Sequence, residues 1–399
     1  MPSCQPAPGM STAPFDPERC DISSLLTMLG RVPDPRDPRG RIFSLSFVLA
    51  VTLVATLTGA KCLRELGSRI ADLPQPLLVR LGAPFDHFHG IFRAPSEKTV
   101  RLLLKTIDVD ALDLAFGAWL FAQATRAWGE QLAIAIDGKI LRGAWSGENT
   151  QVRLLSAMLQ GKGVVVAQVR VPDDTNEITQ VADLVGKLPE TLGRPAVTLD
   201  AVHTQHDTTD VVVKAGMDYV LTIKGNQPTL ERQTFERILP LLQEPPHHEA
   251  EERGHGRIKK WRTWATNADG IDFPHAATAG VIRRDEFDLQ GARVSREHAL
   301  ILTSAPGGRA TAAYLHTHIR GHWGIENEIH YTRDTAWRED ANPTYTGNTN
   351  HTLASFRNLA IGVIRLNQIR RIKETLEYIA ADRYRALPLL VTACNGPTR

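Results

Sequence analysis

Three acidic residues stand where carboxylates can do chemistry. Asp137 follows the apolar run LAIAI (132–136), and Asp200 follows AVTL (196–199). Both runs read as short buried strands. In an open α/β sheet, ligands collect beyond the carboxyl ends of the strands. Two neighbouring parallel strands that each end in Asp set two carboxylates side by side. Such a pair repels itself unless a proton or a cation intervenes, and a hard divalent cation with oxygen ligands relieves the repulsion. Glu326, on a long helical stretch, offers a third oxygen ligand. Each residue also has a plainer reading: Asp137-Gly138 is a hairpin-turn dipeptide, Asp200 suits a helix N-cap, and Glu326 suits an exposed helix face. The case rests on the three together.

A rival metal set uses the same helix. His322, Glu326 and His330 recur every four residues and so share one helical face. Two His and a Glu are a donor set that zinc accepts, although the HExxH pattern is absent. Groups that hold phosphate oxygens gather around the same segments. They are Lys139 and Arg142 in DGKILRG, Lys224, Asn226 and Gln227 in KGNQ, and Arg320, His322, Trp323 and Arg333 around Glu326. The segment RIKKWRTW interleaves Arg257, Lys259, Lys260 and Arg262 with Trp261 and Trp264. That pattern suits a nucleic-acid backbone and equally a charged edge strand.

The elements that must position these residues follow from periodicity. Residues 1–22 are rich in Pro and Ser and read as a disordered tail. RVPDPRDPRGR (31–41) alternates Pro with charge and excludes a regular element. From 23 to 128 the pattern is helical, and Ser96–Leu104 could serve as a DNA-reading helix or simply pack in a bundle. From 129 the period changes. A strand is followed by a hairpin about GKG (161–163), a helix at 177–188, the strand before Asp200, and a further strand DYVLTIKG (218–225). This order implies an α/β domain with a mixed sheet over 129–229 and 298–386. Residues 230–297 are polar and strand-like and read as a β-rich insertion, and 387–399 as a tail.

Composition narrows the class. The 399 residues allow two or three domains. A net charge of +2 does not by itself announce a polyanion partner, so any nucleic-acid surface depends on where the charges lie. The four cysteines are scattered without a CxxC pair, which argues against a disulfide framework or a cysteine-built zinc site. No signal peptide is evident, and the expected compartment is a reducing cytoplasm. FSLSFVLAVTLVATLTGA (43–60) carries five hydroxyls and reads as a core helix rather than a membrane span.

Several blocks, in order, resemble the ISAs group of insertion-sequence transposases, also called H-repeat-associated proteins. They are DGKILRG (137–143), NEIT (176–179), TLDAVHTQ (198–205), KGNQPTL (224–230), GHGRI (254–258), RGHWGIENEIHY (320–331) and TGNTNHTLASFRNLAIGVIRL (346–366). The segments PDPRDPRGR and PSEKTVRLLL resemble the N-terminal domain associated with that group. The resemblance covers roughly residues 25–385. It implies a ribonuclease-H-like fold and a DDE triad falling on Asp137, Asp200 and Glu326. It further implies two Mg²⁺ or Mn²⁺ ions, cleavage at the ends of a mobile element, and joining of 3′-hydroxyl ends to target DNA. The implied partners are duplex DNA, as terminal inverted repeats and target, and a second copy of the chain assembled on it. The group often shows Tyr, Arg and Lys around the Glu; here those positions hold Ile319, His322 and Arg333. A nuclease of the same fold, or an inactive DNA-binding relative, are the alternatives.

Overall fold

The computed structural model describes residues 21–126, 131–146, 150–189, 194–254, 256–341 and 347–396. The tail expected at 1–22 lies almost wholly outside the described residues. The chain divides into two compact units. One comprises residues 1–129, 138–175 and 326–399, and the other 130–137 and 176–325.

The first unit opens with helices α1 (Ser23–Gly30), α2 (Leu45–Leu57), α3 (Leu63–Ala71) and α4 (Gln75–Leu81). A two-residue hairpin, β1 (Phe85–Asp86) and β2 (Ile91–Phe92), leads to α5 (Glu97–Thr106) and α6 (Val109–Thr125). The Pro-rich segment before α2 holds no helix or strand, as its missing N–H donors require. The apolar stretch at 43–60 is α2. Ser44 caps it, accepting a 3.3 Å bond from the Phe47 N–H, and all its residues but Ser46 are buried. Among the described residues no helix is long and apolar enough to cross a membrane.

The chain then enters β3 (Ala133–Ser146), β4 (Thr150–Leu159) and β5 (Val164–Val171). Asp137-Gly138 is not a turn, because β3 runs through it without a break. β4 and β5 form the expected antiparallel hairpin, with Gly161 and Gly163 at φ 74° and 62° in its turn. Such angles favour residues without a Cβ.

The second unit follows with α7 (Glu177–Gly186), β6 (Ala196–Leu199), α8 (His206–Lys214), β7 (Asp218–Ile223) and α9 (Pro228–Ile238). Strands β8 (His248–Gly254), β9 (Arg257–Asn267), β10 (Thr278–Asp288) and β11 (Arg293–Thr303) precede α10 (Ala312–Gly324). The hydrogen-bonded strand order is β5-β4-β3-β6-β7-β11-β10-β9-β8. β3, β6 and β7 run parallel, and β11, β10, β9 and β8 extend β7 as an antiparallel series. The architecture is mixed α/β. The β-rich stretch expected at 230–297 opens on α9, and its strands β8, β9 and β10 prolong the same sheet. RIKKWRTW is not an edge strand, since β8 covers β9.

The chain closes in the first unit with α11 (Tyr331–Trp337), α12 (Thr349–Leu366), α13 (Ile372–Ala381) and α14 (Ala386–Asn395). The tail expected from 387 is thus a helix, with Leu387, Leu389 and Leu390 buried. The N-terminal helices do not stand apart as 23–128 suggested. α6 buries Leu112, Phe116, Gly117, Trp119, Leu120 and Phe121, too wide an apolar surface for one partner, and packs on both β5 and α12.

Candidate active site

Asp137 and Asp200 come from neighbouring parallel strands. The last register pair of β3 and β6 is Ile136 with Leu199, so the two acids follow at adjacent positions on strands spaced about 4.8 Å apart. Side chains alternate along a strand, which puts Ala135, Asp137, Thr198 and Asp200 on one face. α10 packs on that face through a core containing Ala196, Val220, Leu315 and Ile319.

His322 of α10 reaches the same face. Its Nδ1 lies 3.0 Å from Thr198 Oγ1. The Thr198 hydroxyl donates to the Ile134 carbonyl at 3.3 Å, so the imidazole is assigned as the donor to Thr198, and a neutral ring then keeps its lone pair on Nε2. Burial pushes His322 below the usual histidine range, and the carboxylates of Asp137 and Asp200 oppose that shift.

Asp200 also caps a turn. Its Oδ1 accepts from the Val202 N–H at 3.1 Å, opening the 3-10 turn Ala201–His203. A carboxylate has about four lone-pair sites, so capping and cation binding can coexist. The KGNQ amides hold this turn from behind. Asn226 Nδ2 donates to the Ala201 carbonyl at 2.7 Å, and Gln227 Nε2 to the Thr204 carbonyl at 2.8 Å. Both were singled out as phosphate contacts; their side-chain amides are engaged with the Asp200 turn. Lys224, beside them, is exposed.

His203, which sequence reasoning does not single out, joins these groups. It is 1% exposed, its Nδ1 has no hydrogen-bond partner among the described residues, and its Nε2 lies 4.0 Å from Glu177 Oε2. Burial lowers its pKa, while Asp200 and Asp137 pull it upward. The signal was the spacing in TLDAVHTQ, which places His203 one tight turn after Asp200.

Farther along the second unit, Arg320 pairs with Glu252 at 2.8 Å and stacks on Trp261 at 4.8 Å. Trp323 is half-exposed, its ring 5.7 Å from that of Trp261. Trp261 and Trp264 are buried, so neither offers a free face to a base. Arg257 lies 3.5 Å from Glu286, and Lys260 lies 3.6 Å from Glu251. Glu252 is held below the usual carboxylate range by Arg320 first and by Lys259 as well.

Glu326 belongs to the first unit. It is exposed, in the π-helical segment Ile325–His330. Helix α10 passes here into a π-helical turn, which is wider than an α turn. Among the described residues, the His, Cys, Asp or Glu group whose ligand atoms lie close enough to share a metal ion is Asp334, Glu339 and Asp340, so the zinc set of His322, Glu326 and His330 is not assembled. Two residues expected at phosphate are instead buried here. Lys139 Nζ lies 2.7 Å from Asp334 and 3.6 Å from Asp340. Arg333 is wholly buried and donates to Glu339 at 2.9 and 2.7 Å. Arg357 holds the other Glu339 oxygen at 2.7 Å. Asp334, Glu339 and Asp340 form a group of acids close enough to share a cation, and Lys139, Arg333 and Arg357 already match their charge. Arg142 is exposed, 3.9 Å from Asp340.

A family model described as "Transposase DDE domain" matches residues 128–362, and one described as "DDE_Tnp_1-associated" matches residues 26–120. The chain belongs to the DDE transposase family. The "H repeat-associated putative transposase YhhI" of Escherichia coli (strain K12) is 26% identical over 91% of this chain and 96% of its own length. The "Putative transposase YncI" of Escherichia coli O157:H7 is 27% identical over 86% of this chain and 88% of its own length. An "Uncharacterized protein in dhlA 3'region" of Xanthobacter autotrophicus is 32% identical over 68% of this chain and 92% of its own length.

Membership makes this transposase an enzyme dependent on divalent metal. The donor set where the pairing of β3 with β6 ends fits such an ion: two carboxylates at adjacent register positions, both hard oxygen ligands. The unpartnered Nδ1 of His203 beside them is a buried polar atom that the described protein groups leave unsatisfied.

Proposed function

We propose that this transposase cuts DNA at the ends of a bacterial insertion sequence and joins the freed 3′-hydroxyls to target DNA, using Asp137, Asp200 and Glu326 as its carboxylate triad. The observation that carries the reading is the register of β3 and β6, which ends at Ile136–Leu199 immediately before the two aspartates. The ribonuclease-H-like fold belongs to the same proposal, supported by a mixed sheet whose parallel centre ends in acids. Two Mg²⁺ or Mn²⁺ ions, held by the triad, supply Lewis-acid stabilisation of charge on the scissile phosphate.

The chain's own groups set the geometry. The capped turn after Asp200, clasped by Asn226 and Gln227, fixes one carboxylate. His322 fixes the strand that carries it, through Thr198. The exposed side chains of Lys224 and Arg142 are placed to meet phosphate oxygens, whereas Lys139 and Arg333 act as structural charges. In each chemical step one P–O bond forms as another breaks, with water attacking first and the 3′-hydroxyl second. No covalent bond to the protein is required. The working form is a dimer on duplex DNA.

The test uses full-length protein and a plasmid carrying the element's terminal repeats. Cleavage and joining in Mg²⁺ or Mn²⁺ but not in EDTA are expected. Cleavage without joining would make the chain a nuclease of this family, and binding without either would make it an inactive relative. Metal should also raise the melting temperature, by about 1.4 kcal/mol of stability at ten times Kd.

A further inference from the structure

Three guanidiniums converge on one carboxylate on the sheet face away from α10. In register, Arg283 of β10 lies between Arg262 of β9 and His298 of β11, and Asp285 lies opposite Arg296. Alternation along β10 puts 283 and 285 on one face and Arg284 on the other, where Arg284 stacks on Trp261 and Trp323 at 5.6 Å. Asp285 has no exposed side-chain surface. It lies 3.1 Å from Arg262 Nη1, 3.4 Å from Arg283 Nε and 2.6 Å from Arg296 Nε.

The charges do not balance. Glu249 takes a share of Arg262 at 2.9 Å, leaving Asp285 as the carboxylate within ion-pair reach of both Arg283 and Arg296. Arg283 Nε approaches Asp285 without the alignment of a hydrogen bond. Burial lowers the Arg283 pKa, and Arg296, Arg262 and Arg293 lower it further. The three guanidinium side chains keep 21–39% of their surface accessible. By contrast, Arg257 and Lys260 on the same β9 strand each face a glutamate of a neighbouring strand. Arg283 also stacks on Trp264 at 5.2 Å, and crowded guanidiniums short of counter-charge, on side chains that keep part of their surface accessible, suit a tetrahedral oxyanion.

We infer that Arg262, Arg283 and Arg296 form a phosphate-binding patch that grips the backbone of duplex DNA on the sheet face away from α10. The patch rests on the proposed reading of the chain as a DNA-cutting enzyme. It moves the DNA contact of the β-rich segment away from Arg257, Lys259 and Lys260. Asp285 is its built-in spacer, ordering the three arginines while competing with the phosphate they would bind.

The test measures full-length protein against a fluorescent duplex carrying an element end, by anisotropy across a salt series without metal. Arg283→Gln/Arg296→Gln is expected to weaken binding about ten- to sixty-fold at 0.1 M salt and to flatten log K against log salt by about 0.9 per lost contact. Arg283→Lys/Arg296→Lys keeps the charge and should keep most of the slope. Arg257→Ala/Lys259→Ala/Lys260→Ala should change the slope less than the Gln pair does. If the Gln pair fails to fold by circular dichroism, the single Arg296→Gln, at the most accessible of the three, decides with one contact's loss. Unchanged affinity and slope in a folded Gln variant overturns the patch and leaves the transposase reading standing. A wild-type protein that binds no duplex at low salt overturns both.

Discussion

The imidazole of His322 and the hydroxyl of Thr198 are joined by a 3.0 Å hydrogen bond between α10 and β6. Both groups are buried, and Thr198 is two residues before Asp200 on the same strand face. The bond therefore sets the distance between a helix and the strand end that carries a candidate ligand. Thr198→Val keeps the shape and removes the oxygen, leaving a buried N–H without its acceptor. A loss of about 1–3 kcal/mol is expected, seen as a lower denaturation midpoint, together with slower DNA cleavage at saturating metal. Wild-type stability in Thr198→Val would show that the bond contributes nothing. Lost stability with wild-type cleavage would show that it does not position Asp200.

Gly117 tests the packing of the first unit. A Cβ there would overlap the Val166 carbonyl of β5, and backbone cannot move aside as a side-chain tip can. Gly117→Ala forces α6 off the strand, although Ala is the better helix former. A destabilisation of about 1–3 kcal/mol is expected from overpacking. A stabilised Gly117→Ala protein would mean that helix propensity outweighs the clash and that α6 sits farther from β5.

Much of this arrangement was legible in the sequence because it is written in local periods. The hairpin about GKG, the strand before Asp200 and the buried α2 all follow from runs of apolar residues and glycine punctuation. What escaped is non-local. Nothing in DGKILRG says that β3 continues through Asp137-Gly138, because a β-bonded neighbour, not propensity, holds that dipeptide extended. Arg333 and Lys139 looked like phosphate ligands because an isolated basic residue carries no mark of the acids that will bury it. Glu339 supplies the acid for Arg333, and Asp334 with Asp340 supplies those for Lys139. The role of Asn226 and Gln227 as clasps is likewise set by tertiary partners. The Leu-rich C-terminal helix was missed for a simpler reason, its short length beside a terminal Gly-Pro.

Glu339 should make the protein acid-sensitive in a defined window. Burial alone would raise its carboxyl, but Arg333 and Arg357 overcome that and hold it at about 2 against an ordinary 4.5. A depressed carboxylate stabilises the fold fully above the unfolded value, and the contribution is lost as pH falls through the folded one. Stability should therefore decline between pH 4.5 and 2, by a few kcal/mol in total. Glu339→Gln leaves two buried arginines without their counter-charge and should cost about 3–5 kcal/mol at neutral pH. It should also flatten the acid dependence. Calorimetry from pH 7 to 2 on both proteins checks this, and parallel acid curves would assign the sensitivity elsewhere. Reduced cleavage in Glu339→Gln is expected to follow its loss of fold.

The sharpest test of the triad is Asp200→Asn. The Asp200 carboxylate caps the turn at Val202, and Asn caps almost as well as Asp, so the fold should be retained to within about 0.5 kcal/mol. Removing one of two adjacent carboxylates also relieves repulsion in the metal-free protein, and duplex DNA should bind as well as before or more tightly. Cleavage should nevertheless fall by orders of magnitude, because a cation held at the proposed site would supply most of the transition-state stabilisation. The same separation of binding from cutting is expected for Asp137→Asn and Glu326→Gln. Asp340→Asn, a change to an acid matched by Lys139, should cut at near wild-type rates if it folds. The melting rise with Mg²⁺ should be lost in Asp200→Asn and kept in Asp340→Asn, a readout independent of activity. Near-normal cleavage by Asp200→Asn would leave this residue a helix cap and nothing more. Loss of the metal response in Asp340→Asn but not in Glu326→Gln would move the site to the acids around Asp334.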